Sequence, residues 1–195
     1  DMDAEYKERL AQIALNKYGI DSLKSMPQLK KFIYDRTGII VTSLNKANID
    51  DVISEIQASQ TATDEDKQAV LDVIDLRKEV GKTSNAKYTA ILASAGRGDR
   101  IRGLFRYYGA NRTGRWAGRL VQLQNLPQNH IEDLDGARDL AKMHDLDMME
   151  VIYDKPTHIL SQLIRTTFIA PEGYTFSVAD FSAIEARVIA WAAGE

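Results

Sequence analysis

Phe176-Ser-Val-Ala-Asp180-Phe-Ser-Ala-Ile-Glu185-Ala-Arg-Val-Ile-Ala190 is the stretch on which the reading of this chain turns. Residues 176–180 are mostly apolar and predict a strand that delivers a carboxylate at its C-terminal end. Residues 182–193 predict a helix with Ile184, Val188 and Trp191 on one apolar face, with Trp191 in the core. A strand-end carboxylate is rigidly aimed, as a site for hard divalent cations requires. Two-metal phosphoryl transfer needs at least one more carboxylate. The same letters also fit a plain helix start, with Asp180 as a cap or Ser182-x-x-Glu185 as a capping box. Spacing alone leaves these readings open.

Outward from this stretch the chain falls into four zones: 1–95, 96–127, 128–163 and 164–195. The first predicts helices with polar loops. One covers residues 4–17 and stops at Gly19; another starts near Pro27, with Leu29, Phe32 and Ile33 on one face. Residues 42–48 read as an exposed loop. A long helix follows Thr63, whose hydroxyl can cap it, with Asp64, Glu65 and Asp66 complementing the helix dipole and Val70, Val73, Ile74 and Val80 facing inward. The second zone predicts a strand over 101–108 with a turn at 109–111, preceded by a helix over 84–93. Tyr107 and Tyr108, as strand neighbours, point to opposite faces, which puts at least one in the core. Residues 131–143 and 145–153, and a segment after Pro156, predict short helices.

Composition sets the class. Hydrophobic residues at 44% and charged residues at 27% are ordinary globular values. No apolar run is long enough to span a bilayer. The absence of cysteine excludes disulfides and thiolate chemistry and suits a cytoplasmic setting. His130, His144 and His158 lack metal-ligand spacing. The net charge of −3 conceals a strong asymmetry. Lys82, Lys87, Arg97, Arg100, Arg102, Arg106, Arg112, Arg115 and Arg119 face a single acid, Asp99, in residues 82–119. Such a stripe fits a nucleic-acid backbone.

Asp180-Phe-Ser-Ala-Ile-Glu-Ala-Arg187 is similar to the first palm motif of family-A DNA polymerases. Thr113-Gly114-Arg115 with Leu123-Gln124-Asn125-Leu126-Pro127 resembles that family's paired upstream segments. Ile164-Arg165 with Phe168-Ile-Ala-Pro-Glu-Gly-Tyr174 resembles the lead-in to its metal-binding strand. The matches stand in family order and cover residues 100–127 and 164–195 well; likeness over 20–95 is weaker. The resemblance implies an α+β, mainly helical fold: a helical thumb, then the first strands and helix of an incomplete palm.

By that resemblance Asp180 is one of two aspartates that hold a pair of Mg²⁺ ions, with the Phe181 carbonyl as a further ligand. Glu185 is the steric gate that crowds the ribose 2′ position and selects deoxynucleoside triphosphates. Arg115 reaches the minor groove at the primer terminus, where correct pairs present equivalent acceptors. Gln124 and Asn125 lie near primer-template DNA and the incoming nucleotide. Lys82, Ser84, Asn85 and Lys87 grip the duplex backbone.

Two departures mark the chain. Trp116-Ala-Gly-Arg119 stands where the family commonly has Leu-Ser-Ser, so Arg119 is read as a substitute phosphate contact. The 128–163 segment is longer than usual and acidic, which predicts that it faces away from DNA. Both features resemble phage and prophage polymerases. Because the chain starts on Asp1 and holds neither the family's fingers helix nor its later His-Asp-Glu segment, it reads as an inactive piece of a longer enzyme. The alternatives are a DNA-binding module whose polymerase-like site is unused, and a single-subunit RNA polymerase relative, against which Glu185 argues.

Overall fold

The computed structural model describes residues 1–45 and 47–194; Lys46, inside the predicted 42–48 loop, and Glu195 lie outside the described residues. The chain divides into two compact units, residues 1–165 and 166–195. Each is described by itself.

The first unit opens with α1 (Met2–Tyr18). Asp1 caps it by accepting from the Asp3 amide at 3.1 Å, and Gly19 ends it in the left-handed region at φ 69°. In α2 (Met26–Thr37) Pro27 occupies the first turn, and Gly38 at φ 72° closes it. α4 (Asp64–Val80) starts as its sequence predicts: the Asp66 amide donates to Thr63 Oγ1 at 3.1 Å, with Asp64, Glu65 and Asp66 in the first turn. Between them lies α3 (Ile49–Ala58), which the sequence reading omits. Its start signal stands in the letters, Asn48 followed by Asp50 and Asp51, although Asn48 makes no side-chain cap bond; Ile49, Val52 and Ile56 are buried on one face.

Two cores form in this unit. Ala14 of α1 joins Leu29 and Ile33 of α2, Val52 and Ile56 of α3, and Val70, Val73 and Ile74 of α4. Met2, Tyr6 and Leu10 of the same α1 instead join α6 (Leu134–Met143), α7 (Leu146–Tyr153) and α8 (Pro156–Leu163) through Ala137, Leu146, Met149 and Leu160. The acidic 128–163 helices are therefore built onto the N-terminal helix, and Arg9 reaches Asp147 and Glu150 across that junction.

α5 (Ala86–Ser94) leads to an antiparallel hairpin, β1 (Phe105–Ala110) with β2 (Arg115–Gly118). The strand predicted from 101 begins only at Phe105, because Gly103 at φ 71° breaks the extended run. The reversal falls at 111–114 rather than 109–111, with the Thr113 and Gly114 amides donating to the Ala110 carbonyl. The result is mainly helical with a small two-stranded sheet, in keeping with an α+β class.

The second unit corrects two expectations. Residues 176–180 run without strand pairing among the described residues, and α9 (Ile184–Ala193) buries none of its side chains. Val178 is 95% exposed and Trp191 78%, so Trp191 is not in a core. A strand needs a neighbour to satisfy its amides, and a unit this short has too little apolar surface to cover its own. No described helix is long and apolar enough to cross a membrane.

Candidate nucleic-acid interface and acidic motif

The hairpin is the centre of the basic stripe. Residues 100–131 contain no acid at all, and every cation between 88 and 141 is an arginine. Phe105 pairs with Gly118, Arg106 with Ala117 and Ala110 with Arg115; the register is irregular between Arg106 and Ala110. The Arg119 amide donates to the Leu104 carbonyl at 2.7 Å and continues the ladder. Arg106, Arg112, Arg115 and Arg119 all lie exposed.

The register break overturns the expectation that Tyr107 or Tyr108 is core. Tyr108 sits at φ 49°, a left-handed conformation that is strained for a bulky residue. Strict alternation of faces fails there, and both rings are exposed, Tyr107 at 73% and Tyr108 at 56%. Tyr107 packs edge-on to Trp116, with centroids 5.3 Å apart at 72°. Gly114, at φ 67°, gives room for the Tyr108 ring, since a Cβ there would fall 2.8 Å from it.

Gln124 and Asn125 form a single 3-10 turn, Leu123–Asn125, and both are exposed. Gln124 lies over Gly118 so closely that a Cβ at that position would meet its side-chain nitrogen at 2.2 Å. The Asn125 amide group donates to Gln122 Oε1 at 3.1 Å. Arg165 fixes this turn from behind, donating from Nε to the Pro127 carbonyl and from Nη2 to the Leu126 carbonyl, both at 2.8 Å. The hairpin, the polar turn and Arg165 thus belong to one bonded assembly. In sequence Arg165 carries no signal of this positioning role, because its acceptors, the Leu126 and Pro127 carbonyls, are backbone groups 39 and 38 residues away.

The segment 82–88 is placed differently. Lys82 Nζ donates to both oxygens of the buried Glu79, at 2.8 and 2.9 Å, and the Lys82 carbonyl accepts from Lys7 Nζ at 2.7 Å. Thr157 Oγ1 donates to the same Glu79 carboxylate at 2.5 Å. Asn85 is buried and donates to Asp3 Oδ1 at 2.6 Å and to the Thr157 carbonyl at 3.2 Å. Tyr88 donates to the Leu160 carbonyl at 2.7 Å, and burial pushes its hydroxyl up to about 12. Lys82 and Asn85 therefore face inward, tying α4 and α5 to α1 and α8. Ser84 and Lys87 are half-buried.

In the second unit Asp180 and Phe181 are exposed on the irregular segment, and Glu185 lies in the first turn of α9. The capping readings fail. Helix α9 is preceded by Ala183 at φ 52°, which makes no side-chain cap, so neither Asp180 nor Ser182 starts it. The turn is instead stapled by Arg187, whose Nε donates to the Ser182 carbonyl at 2.8 Å and whose amide donates to the Ala183 carbonyl at 3.0 Å. Arg187 thereby fixes the path between Asp180 and Glu185. Among the described residues no three His, Asp or Glu side chains converge as a metal cage.

Comparison with known proteins adds an independent finding. The chain is 47% identical over 193 residues to a DNA polymerase of Bacillus phage SP02. That alignment takes in 99% of this chain but only 28% of the phage protein, so the chain spans about a quarter of its relative's length. No family model and no solved structure matches. The aligned stretch of 193 residues spans the hairpin, the 3-10 turn, the acidic helices and the Asp180 motif.

Proposed function

We propose that this chain is part of a family-A DNA polymerase, comprising a helical thumb and the start of the palm. The observation that carries the reading is the 47% identity to the phage DNA polymerase across virtually the whole chain. In the complete enzyme the activity is template-directed addition of deoxynucleotides to a primer 3′-hydroxyl. The arginine-rich hairpin supports DNA contact, since its segment concentrates positive charge and holds no acid from 100 to 131.

In this reading Arg115 and Arg119 hold primer-template DNA from the second strand of the hairpin. Gln124 and Asn125 address the base pair from a turn that Gly118 and Arg165 hold still. Of the 82–88 cluster, Ser84 and Lys87 keep a backbone-gripping role, while Lys82 and Asn85 position them from inside the fold. Glu185 acts as the sugar gate, its path to Asp180 set by Arg187.

Asp180 and the Phe181 carbonyl are oxygen donors of the type Mg²⁺ takes. One carboxylate and one carbonyl do not make a site for two ions, and no chemical step is assigned to this chain alone. Mg²⁺, when bound in the complete site, supplies activation of the 3′-hydroxyl and stabilisation of the leaving pyrophosphate.

The test is Mg²⁺-dependent primer extension by the full-length protein with deoxynucleotides. Wild type extends, Asp180→Ala does not, and Glu185→Ala gains ribonucleotide incorporation. A wild type that binds primer-template but never extends it overturns the polymerase reading in favour of an unused DNA-binding module. Unimpaired extension by Asp180→Ala removes that residue from the site.

A further inference from the structure

We infer that the hairpin carries a base-stacking site for single-stranded DNA, formed by Tyr107, Tyr108 and Trp116. The inference shares with the polymerase reading only the premise that the hairpin meets DNA; it concerns binding and needs no catalysis.

Three observations converge on it. The rings are grouped: Tyr107 stands 5.3 Å from Trp116 and 6.3 Å from Tyr108, at interplanar angles of 72° and 53°. Such tilted contacts lock the rings while leaving ring faces open, and Trp116 remains 62% exposed. The grouping also stands at a point of backbone strain, since Tyr108 holds φ 49° and both neighbouring tyrosines are exposed. Among the described residues the cluster packs into neither core.

The surroundings decide the occupant. The rings sit in a segment with no acid from 100 to 131 and with arginine as its only cation. Among the described residues no carboxylate pairs with Arg106, Arg112 or Arg119. Guanidinium groups suit phosphate oxygens and also stack on bases. An apolar protein partner would gain nothing from the uncompensated charges, and paired duplex bases offer no free face. An unpaired strand offers both phosphates and base faces, so it alone matches both halves of the surface.

The experiment uses the chain with Trp191→Phe, which leaves Trp116 as its sole indole. Without metal or nucleotide, oligothymidylate is expected to quench Trp116 fluorescence. In anisotropy titrations Trp116→Ala and Tyr107→Ala each weaken oligothymidylate binding about tenfold, while Trp116→Phe stays within about twofold. The salt dependence keeps its slope in the ring variants and flattens in Arg112→Gln. Blunt duplex of equal length loses less than the single strand does. Unchanged Trp116 fluorescence at saturation overturns the proposal, as does wild-type affinity in Trp116→Ala. Equal losses for duplex and single strand overturn it too, because the rings would then only shape the hairpin. If circular dichroism shows Trp116→Ala unfolded, quenching and the Phe variant decide. Because wild-type primer extension does not enter, failure here leaves the polymerase reading standing, and the reverse holds.

Discussion

The helical unit and the short unit that carries Asp180 spend their apolar residues in opposite ways. Ile33, Ile56, Val70 and Val73 are fully withdrawn from water, whereas Val178, Ile189 and Trp191 lie in it. Both units contain well-patterned segments, so the pattern is not what separates them. Burial requires a partner surface, and the helices of 1–165 find one in each other while the 166–195 segment holds too little to cover itself. Local preference can draw a helix; only packing can make it contribute to stability.

Substitutions test that contrast, the largest effect first. Ile33→Ala removes a fully buried side chain at the meeting of α2, α3 and α4 and is expected to cost about 2–5 kcal/mol in urea unfolding. Glu79→Ala strips the carboxylate that receives Lys82 and Thr157 and is expected to cost about 2 kcal/mol, with the 82–88 segment losing hydrogen-exchange protection. A loss confined to duplex affinity, with stability intact, would instead put Lys82 on the outer surface.

Tyr88→Phe comes next, at about 1 kcal/mol, since it removes the donor to the Leu160 carbonyl. The same residue gives a pH signature. Its hydroxyl is held up at about 12 by burial, from an ordinary 10.0, so the unfolded chain deprotonates first. Its contribution is complete below pH 10 and is lost as pH climbs to about 12. Tyr6 behaves alike, raised to about 12 by burial and by Glu150. Tyr88→Phe should therefore soften the alkaline decline in melting temperature. The smallest effect belongs to Trp191→Ala, expected within about 0.5 kcal/mol of wild type by thermal melting. A larger loss would mean that α9 is packed after all and would erase the contrast between the units.

Much of the helical frame was legible in the letters. Thr63 with three following acids, Pro27 and Gly19 carry their start and stop signals locally, and the structure uses all of them. Helix α3 was legible but missed: Asn48, Asp50 and Asp51 mark its start, and Ile49, Val52 and Ile56 stand at helical spacing. The 176–180 strand was misread because sequence shows strand preference but not the neighbour that would pair with it. Tyr107 and Tyr108 were misjudged for the opposite reason: alternation is a rule of regular strands, and one left-handed residue suspends it. For the candidate site, the basic stripe was visible as charge, yet which cations turn inward was not. Lys82 and Arg119 look alike in sequence; what separates them is Glu79, three residues before Lys82 and buried against Thr157, which is distant in the chain.

Helix α1 is shared by both cores, and its lower half waits for residues far downstream. Met2, Tyr6 and Leu10 find their cover in helices that end at Leu163, about 150 residues later. At ribosomal speeds that gap lasts on the order of ten to thirty seconds, during which α1 can dock its Ala14 end but not its start. The nascent chain thus carries an uncovered apolar edge until the acidic helices emerge. Those helices double as a timed seal for the start of α1, and truncating the chain before 163 should make the product aggregate.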